Sequence, residues 1–122
     1  MGSERTEVSI VIPVFNEEGL LETAINDLVL KLNELGWEKE IIITENGSTD
    51  RTVEIANDLA RRYPFLKVLH TGEPNYGKTL RKGIETASGV FVMCDEIDIC
   101  DVNFHKAALE ILKGGEFDMV VG

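Results

Sequence analysis

The stretch Val8-Ser9-Ile10-Val11-Ile12-Pro13-Val14 decides the fold, because almost all of it is apolar and most of it is β-branched. A strand with one wet face alternates polar and apolar positions; this one reads as a strand covered on both faces. Directly after it the period changes. Leu20, Leu21, Ala24, Ile25, Leu28, Leu32 and Leu35 recur at helical spacing, so residues 17–35 read as an amphipathic helix. Asn16 reads as its N-cap, with Glu17 and Glu18 in the turn where the helix dipole favours acids, and Gly36 as its stop.

The same cycle recurs along the chain. Ile41-Ile42-Ile43-Thr44 is a second expected strand, and Asp50 reads as the cap of a helix that runs to Tyr63, before Pro64. Phe65 to His70 is a third strand, Gly72 to Gly77 a polar turn, and Lys78 to Ala87 a helix closed by Gly89. Val90 to Cys94 is a fourth strand, Phe104 to Leu112 a helix ended by Gly114 and Gly115, and Asp118 to Val121 the start of a fifth strand. Strand and helix in strict alternation predict parallel strands joined by right-handed crossovers, hence an α/β three-layer sandwich with a mainly parallel, Rossmann-like sheet. Such sheets bind ligands beyond the carboxyl ends of their strands, near the point where strand order reverses. The loops after Val14, Thr44, His70 and Cys94 are therefore where chemistry is expected.

Composition bounds the partners. The 122 residues suffice for one domain, with residues 1–7 reading as a cloning scar or flexible N-terminus and 8–122 as the folded unit. Asp and Glu number 22 against 12 Lys and Arg, a net charge of −10, which opposes non-specific binding to nucleic acid or to an anionic membrane face. Two cysteines, Cys94 and Cys100, are too few and too irregularly spaced for a disulfide framework or a zinc site, and point to a cytoplasmic chain. No apolar run approaches the ~20 residues of a membrane span.

Two loops carry readings of their own. Gly72-Glu73-Pro74-Asn75-Tyr76-Gly77-Lys78-Thr79 matches the pattern of a phosphate-cradling P-loop, after a strand and before a helix. Against an NTPase stand its late position in the chain and Pro74, which removes a backbone N–H from a loop that works by presenting them. The loop after the fourth strand holds Asp95, Glu96, Asp98 and Asp101, hard oxygen ligands that suit Mg²⁺ or Mn²⁺, or else a solvated acidic loop. His70 reads as a half-buried packing residue, and Trp37 and Tyr63 as packing near helix ends.

Taken together, the stretches 8–18, 40–50, 75–83 and 87–98 resemble the family 2 glycosyltransferases, most closely the polyprenyl-phosphate (dolichyl-phosphate) mannose and glucose synthase branch. The resemblance implies a GT-A fold and inverting transfer of a hexose from a GDP- or UDP-sugar to a polyprenyl phosphate, with the parent protein at the cytoplasmic face of a membrane. It places Pro13, Phe15, Asn16 and Glu17 along the nucleotide pocket, Asn46 against the base, and Gly77, Lys78 and Arg81 near the phosphates. Glu96 and Asp98 match the acidic pair that holds the metal. Asn46 stands where the family usually has Asp, and Glu96 where it has the first Asp of the pair. Members continue well beyond this length, so the chain reads as the donor-binding half, with an uncovered edge at the fifth strand that favours self-association. The other readings are a non-catalytic nucleotide-binding module of the same fold and a small P-loop NTPase.

Overall fold

The computed structural model describes residues 6–72, 75–95 and 97, with Tyr76 described by its backbone alone. The elements run β1 (Val8–Val14), α1 (Leu21–Leu35), β2 (Lys39–Glu45), α2 (Thr52–Arg62), β3 (Leu66–His70), α3 (Tyr76–Thr86) and β4 (Phe91–Cys94). The four strands form one sheet in the order β3-β2-β1-β4, with every pairing parallel. The chain steps outward from β1 to β3, then returns to lay β4 on the other side of β1, so strand order reverses between β1 and β4. The expected helix 104–112, the fifth strand and its edge lie outside the described residues.

Burial follows from this topology. All seven residues of β1 are buried, as its nearly continuous apolar run requires. Val8, Ile10, Ile12 and Val14 share one face with Ile41, Ile43 and Leu66, and pack with Leu21, Ile25, Leu28 and Leu32 of α1 and Ala56 and Leu59 of α2. The opposite face of the two central strands presents Val11 and Thr44 to α3. Helices thus cover both faces, completing the three layers. None of the described helices is long and apolar enough to cross a membrane.

Pro13 is compatible with the central strand for a positional reason. In a parallel ladder the N–H and C=O of one residue face the same neighbour. Val11 faces β4, since its carbonyl accepts from Asp95 N at 2.9 Å, and Pro13 shares that orientation two residues on. The β1–β4 register ends at Val11↔Cys94, so the missing N–H of Pro13 falls where no rung is paired.

Most boundaries differ from the sequence expectation by one to three residues. The start of α1 is the exception: it begins at Leu21, not at Glu17, and its N-cap position is Leu20. Asn16 is no helix cap, because its side chain is used elsewhere, as shown below. The cap position of α2 is Arg51, not Asp50, and carries no side-chain cap bond; Asp50, one residue earlier, accepts from Thr52 N at 2.8 Å through its Oδ1. The third helix starts at Tyr76, two residues early, because Asn75 caps it by accepting from Lys78 N at 3.0 Å. Gly36 ends α1 in the left-handed conformation, at φ 69°.

Two close contacts set the geometry of the α3 side. A Cβ on Gly83 would lie 2.5 Å from Val11 Cγ1 and 2.7 Å from Thr44 Cγ2, so only glycine lets the helix approach the sheet this closely. At the other end of β2, the buried Glu40 carboxylate accepts from Ser9 Oγ (2.5 Å), Ser88 N (2.6 Å) and Ser88 Oγ (2.8 Å), and pairs with Lys67 Nζ at 3.0 Å. It ties β1, β2, β3 and the α3–β4 connection together. Burial by itself would raise its pKa; the donors from Ser9, Ser88 and Lys67 outweigh that and hold it at about 2, against an ordinary 4.5.

Gly83→Ala is expected to cost about 1–3 kcal/mol through overpacking. Gly19→Ala, whose added methyl would meet nothing within 4 Å among the described residues, should stay within about 0.5 kcal/mol of the parent. Urea denaturation of the pair checks this, and equal midpoints would contradict the tight α3–sheet contact. Because the Glu40 pKa is depressed on folding, its contribution is complete above about pH 4.5 and is lost as the pH falls toward about 2. Glu40→Gln should therefore lower stability at neutral pH and flatten the acid limb of the stability–pH curve.

Candidate functional site

The carboxyl ends of β1, β2 and β3 are stitched into one polar surface by hydrogen bonds between loops far apart in sequence. Asn46 N donates to Val14 O at 3.0 Å, extending the β1–β2 pairing past the strands. Beyond it, Asn16 takes the left-handed conformation at φ 52°, which asparagine tolerates better than most residues. Its backbone N–H donates to Ser48 Oγ at 2.9 Å, and its Oδ1 accepts from Thr49 N at 2.9 Å and Asp50 N at 3.4 Å. Glu17 N donates to Thr52 Oγ1 at 2.8 Å, and Glu18 N to Asp50 Oδ2 at 3.3 Å. The loop that resembles a helix cap in sequence is instead bonded to a loop more than thirty residues away.

Behind this surface the strand ends carry buried polar groups. Glu45 is 3% exposed, accepts from Ser48 N, and meets His70 Nδ1 at 3.2 Å across the register pair Glu45↔His70. Burial would raise the Glu45 carboxyl, but hydrogen bonds from Ser48 and His70 and the proximity of His70 hold it below the usual range. His70 itself is 43% exposed, not half-buried packing: it closes an edge strand and keeps only one side against Glu45.

Asn46 is 7% exposed. Its Oδ1 accepts from Asn75 N at 2.9 Å and from Thr79 Oγ1 at 2.7 Å. The Thr79 side chain is fully buried, and its hydroxyl also lies 3.1 Å from that of Thr71, whose N–H donates to Glu45 O. This placement removes the NTPase reading. A P-loop threonine must turn its hydroxyl toward a bound cation; that of Thr79 is spent inside the fold on Asn46. Thr71, Asn75 and Thr79 escaped the sequence reading as positioning groups. The available signal was the four-residue spacing of Thr79 and Gly83, two small residues that put the same helical face against the sheet.

The remaining candidates fall around this core. Pro13 is buried within β1, whereas Phe15, two residues on and just past the strand, is 41% exposed. Gly77, Lys78 and Arg81 lie on the exposed first two turns of α3. Among the described residues, a Cβ on Gly77 would find only Asn75 Oδ1, at 3.9 Å. Arg81 pairs along the helix with Glu85 at 3.4 Å, both largely exposed. Glu96 and Asp98 lie outside the described residues. Ile97 between them is 6% exposed and belongs to the core, which anchors the chain just after β4. Among the described residues no group of three His, Cys, Asp or Glu side chains is gathered for a metal.

With this geometry in place, the comparisons converge. The family model described as "Glycosyl transferase family 2" matches residues 9–122. The chain is similar to a dolichol-phosphate mannosyltransferase of Pyrococcus furiosus, 34% identical over 117 residues that cover 95% of this chain and 32% of the relative. It is similar also to the uncharacterized glycosyltransferase YibD of Escherichia coli, 32% identical over 99 residues, covering 80% of this chain and 28% of that protein. A crystal structure of S. aureus TarS superposes with a TM-score of 0.68 at 25% identity, covering 88% of this chain and 32% of that one. The chain thus spans about a third of the length of the curated relatives it matches.

Replacing Asn16 separates its two roles. Asn16→Gly keeps the left-handed backbone but loses Oδ1, whereas Asn16→Ala loses both and should be less stable than the glycine variant by about 1 kcal/mol. In both, native-state hydrogen exchange should show faster exchange at the Thr49 and Asp50 amides. Unchanged protection there would mean that the loops are not coupled through Asn16.

Proposed function

The chain belongs to glycosyl transferase family 2, and from that premise we propose that it is the donor-binding part of an enzyme that transfers a hexose from a nucleoside-diphosphate sugar to a polyprenyl phosphate. The observation that carries the reading is the stitched carboxyl edge, where Phe15, Asn46 and the start of α3 stand around one surface. The exposed Phe15 ring offers the base an apolar contact. The loops of Asn16 and Asp50 are held rigid before any ligand arrives, so ordering them costs little on binding. The N-terminal turns of α3, with Lys78 and Arg81, place local positive charge where a diphosphate would lie, against the negative sign of the whole chain.

Glu96 and Asp98 are carboxylates, the donor chemistry that suits Mg²⁺ or Mn²⁺, and a cation held there would offset the charge of the departing nucleoside diphosphate. The polyprenyl-phosphate acceptor is supported by the similarity to the dolichol-phosphate mannosyltransferase. A nucleotide-binding module without turnover is the second reading, supported by the chain's spanning only a third of its relatives. Sugar transfer by the chain itself would exclude it.

Calorimetry with nucleoside diphosphates and Mn²⁺ tests the site. Saturation at 100 times Kd should stabilise the fold by about 2.7 kcal/mol. Lys78→Ala is expected to weaken every nucleoside diphosphate alike, by about tenfold, and Asp98→Ala to abolish the dependence on Mn²⁺. Binding that survives both substitutions unchanged would remove the phosphate and metal assignments.

A further inference from the structure

The two faces of the sheet are not covered alike at β4. Met93 and Ile97 belong to the core on the α1 and α2 side, and Phe91 packs against it. By the alternation of a strand, Val92 and Cys94 point to the other face, where Gly83 of α3 lies against Val11 and Thr44 of β1 and β2. There Val92 is 36% exposed, Cys94 is exposed, and Val90, just before the strand, is 58% exposed. The flank of α3 on that side is apolar too. Thr79 reaches toward Thr71, beyond β3, and Ile84 lies about 140° round the helix from it with Gly83 between them, so Ile84 is turned toward β4. Ile84 is 43% exposed. Apolar side chains exposed together along one margin mark a surface that something covers.

The course of the chain says what covers it. From β1 to β3 the chain moves outward in one direction, with α1 and α2 on one face. From β3 to β4 it moves in the opposite direction, with α3 on the other face. Right-handed crossovers require this, because reversing the direction reverses the face. The inner side of β4 is taken by β1, so a chain that continues outward keeps the direction of the last step and brings its next helix to the face of α3. The sequence beyond β4 supplies a helix of matching polarity. Phe104, Ala107, Ala108, Ile111 and Leu112 recur at i, i+3, i+4, i+7 and i+8, which is one apolar stripe with two small residues in it.

We infer that the apolar strip of Ile84, Val90 and Val92 is the docking surface for residues 104–112 of this same chain, which lie on it as a helix. The consequence reaches the carboxyl edge. Ile97 is sunk in the core on the α1 side, whereas the docked helix lies on the opposite face. Residues 98–103 must then cross the edge of the sheet between these two anchors. Fully extended, such a stretch of six reaches about 20 Å, which suffices to round the edge of a single sheet. Docking thereby brings Asp98 and Asp101 to the carboxyl edge by holding the chain on both sides of them.

The test uses the 122-residue chain with Cys94→Ser and Cys100→Ser, so that Ile84→Cys is its single thiol. Maleimide should label that thiol about tenfold or more slowly in the native protein than in urea, at any protein concentration. Ile111→Asp, which puts a charge on the apolar stripe, should restore fast labelling, and Glu110→Gln, off the stripe, should not. A short bismaleimide should then join Ile84→Cys to Ala108→Cys within one chain, but not Leu30→Cys to Ala108→Cys, because Leu30 is 66% exposed on α1, across the sheet. Circular dichroism shows whether Ile111→Asp is folded; if it is not, the cross-links decide. Native labelling as fast as in urea overturns the inference, as does a cross-link to position 30 in place of position 84. Protection that disappears on dilution assigns the strip to a second copy of the chain and overturns it equally. None of these outcomes depends on nucleotide binding.

Discussion

The close approach of α3 to the sheet is the constraint on which the rest of the surface depends. Gly83 has no side chain, so the helix can settle against Val11 and Thr44. One turn earlier, that depth brings the Thr79 hydroxyl within 2.7 Å of Asn46 and lets the Asn75 N–H reach the same oxygen. The Asn46 backbone is in turn bonded to the end of β1. A packing condition in the middle of a helix thereby fixes a hydrogen-bonding pattern at the edge of the sheet, through rigid elements and short side chains. A bulkier residue at position 83 would disturb the Asn46 hydrogen bonds without touching any group that makes them.

The fold was largely legible because its signals are local. The nearly continuous apolar run of β1, the helical spacing from Leu20 to Leu35 and the punctuation by Gly36 and Pro64 each act within a few residues, and each corresponds to an observed element. What was misread depended on distant partners. Asn16 before two glutamates has the composition of a helix cap, yet its oxygen is claimed by the amides of Thr49 and Asp50, 33 and 34 residues on. Thr79 has the composition of a phosphate-loop threonine, but is claimed by Asn46. Short polar side chains satisfy whichever donors and acceptors the tertiary fold brings near, and no one-dimensional pattern records that choice.

Charge is deployed in the same discriminating manner. The chain is strongly acidic, yet two of its carboxylates, Glu40 and Glu45, are nearly removed from solvent at opposite ends of β2. Each is surrounded by donors that compensate for lost hydration, so both favour the ionised form despite burial. Glu40 gathers groups from β1, β3 and the α3–β4 connection at the amino end of β2; Glu45 does so at its carboxyl end, where Ser48 and His70 converge. The exposed ion pairs, such as Lys31 with Asp27 and Arg51 with Glu54, lie on helix surfaces where water screens them and contribute little.

Pro13 acts at the opposite margin of the same edge, as a terminator for its neighbour. The Val11 carbonyl accepts the last rung from the β4 side, from Asp95 N, and the next group that β1 would present there is an N–H that proline lacks. The β4 chain is thus given a fixed point at which pairing with β1 cannot continue, although β1 itself runs on to Val14 beside β2. A single missing hydrogen on an otherwise buried residue bounds the described pairing of β1 with β4.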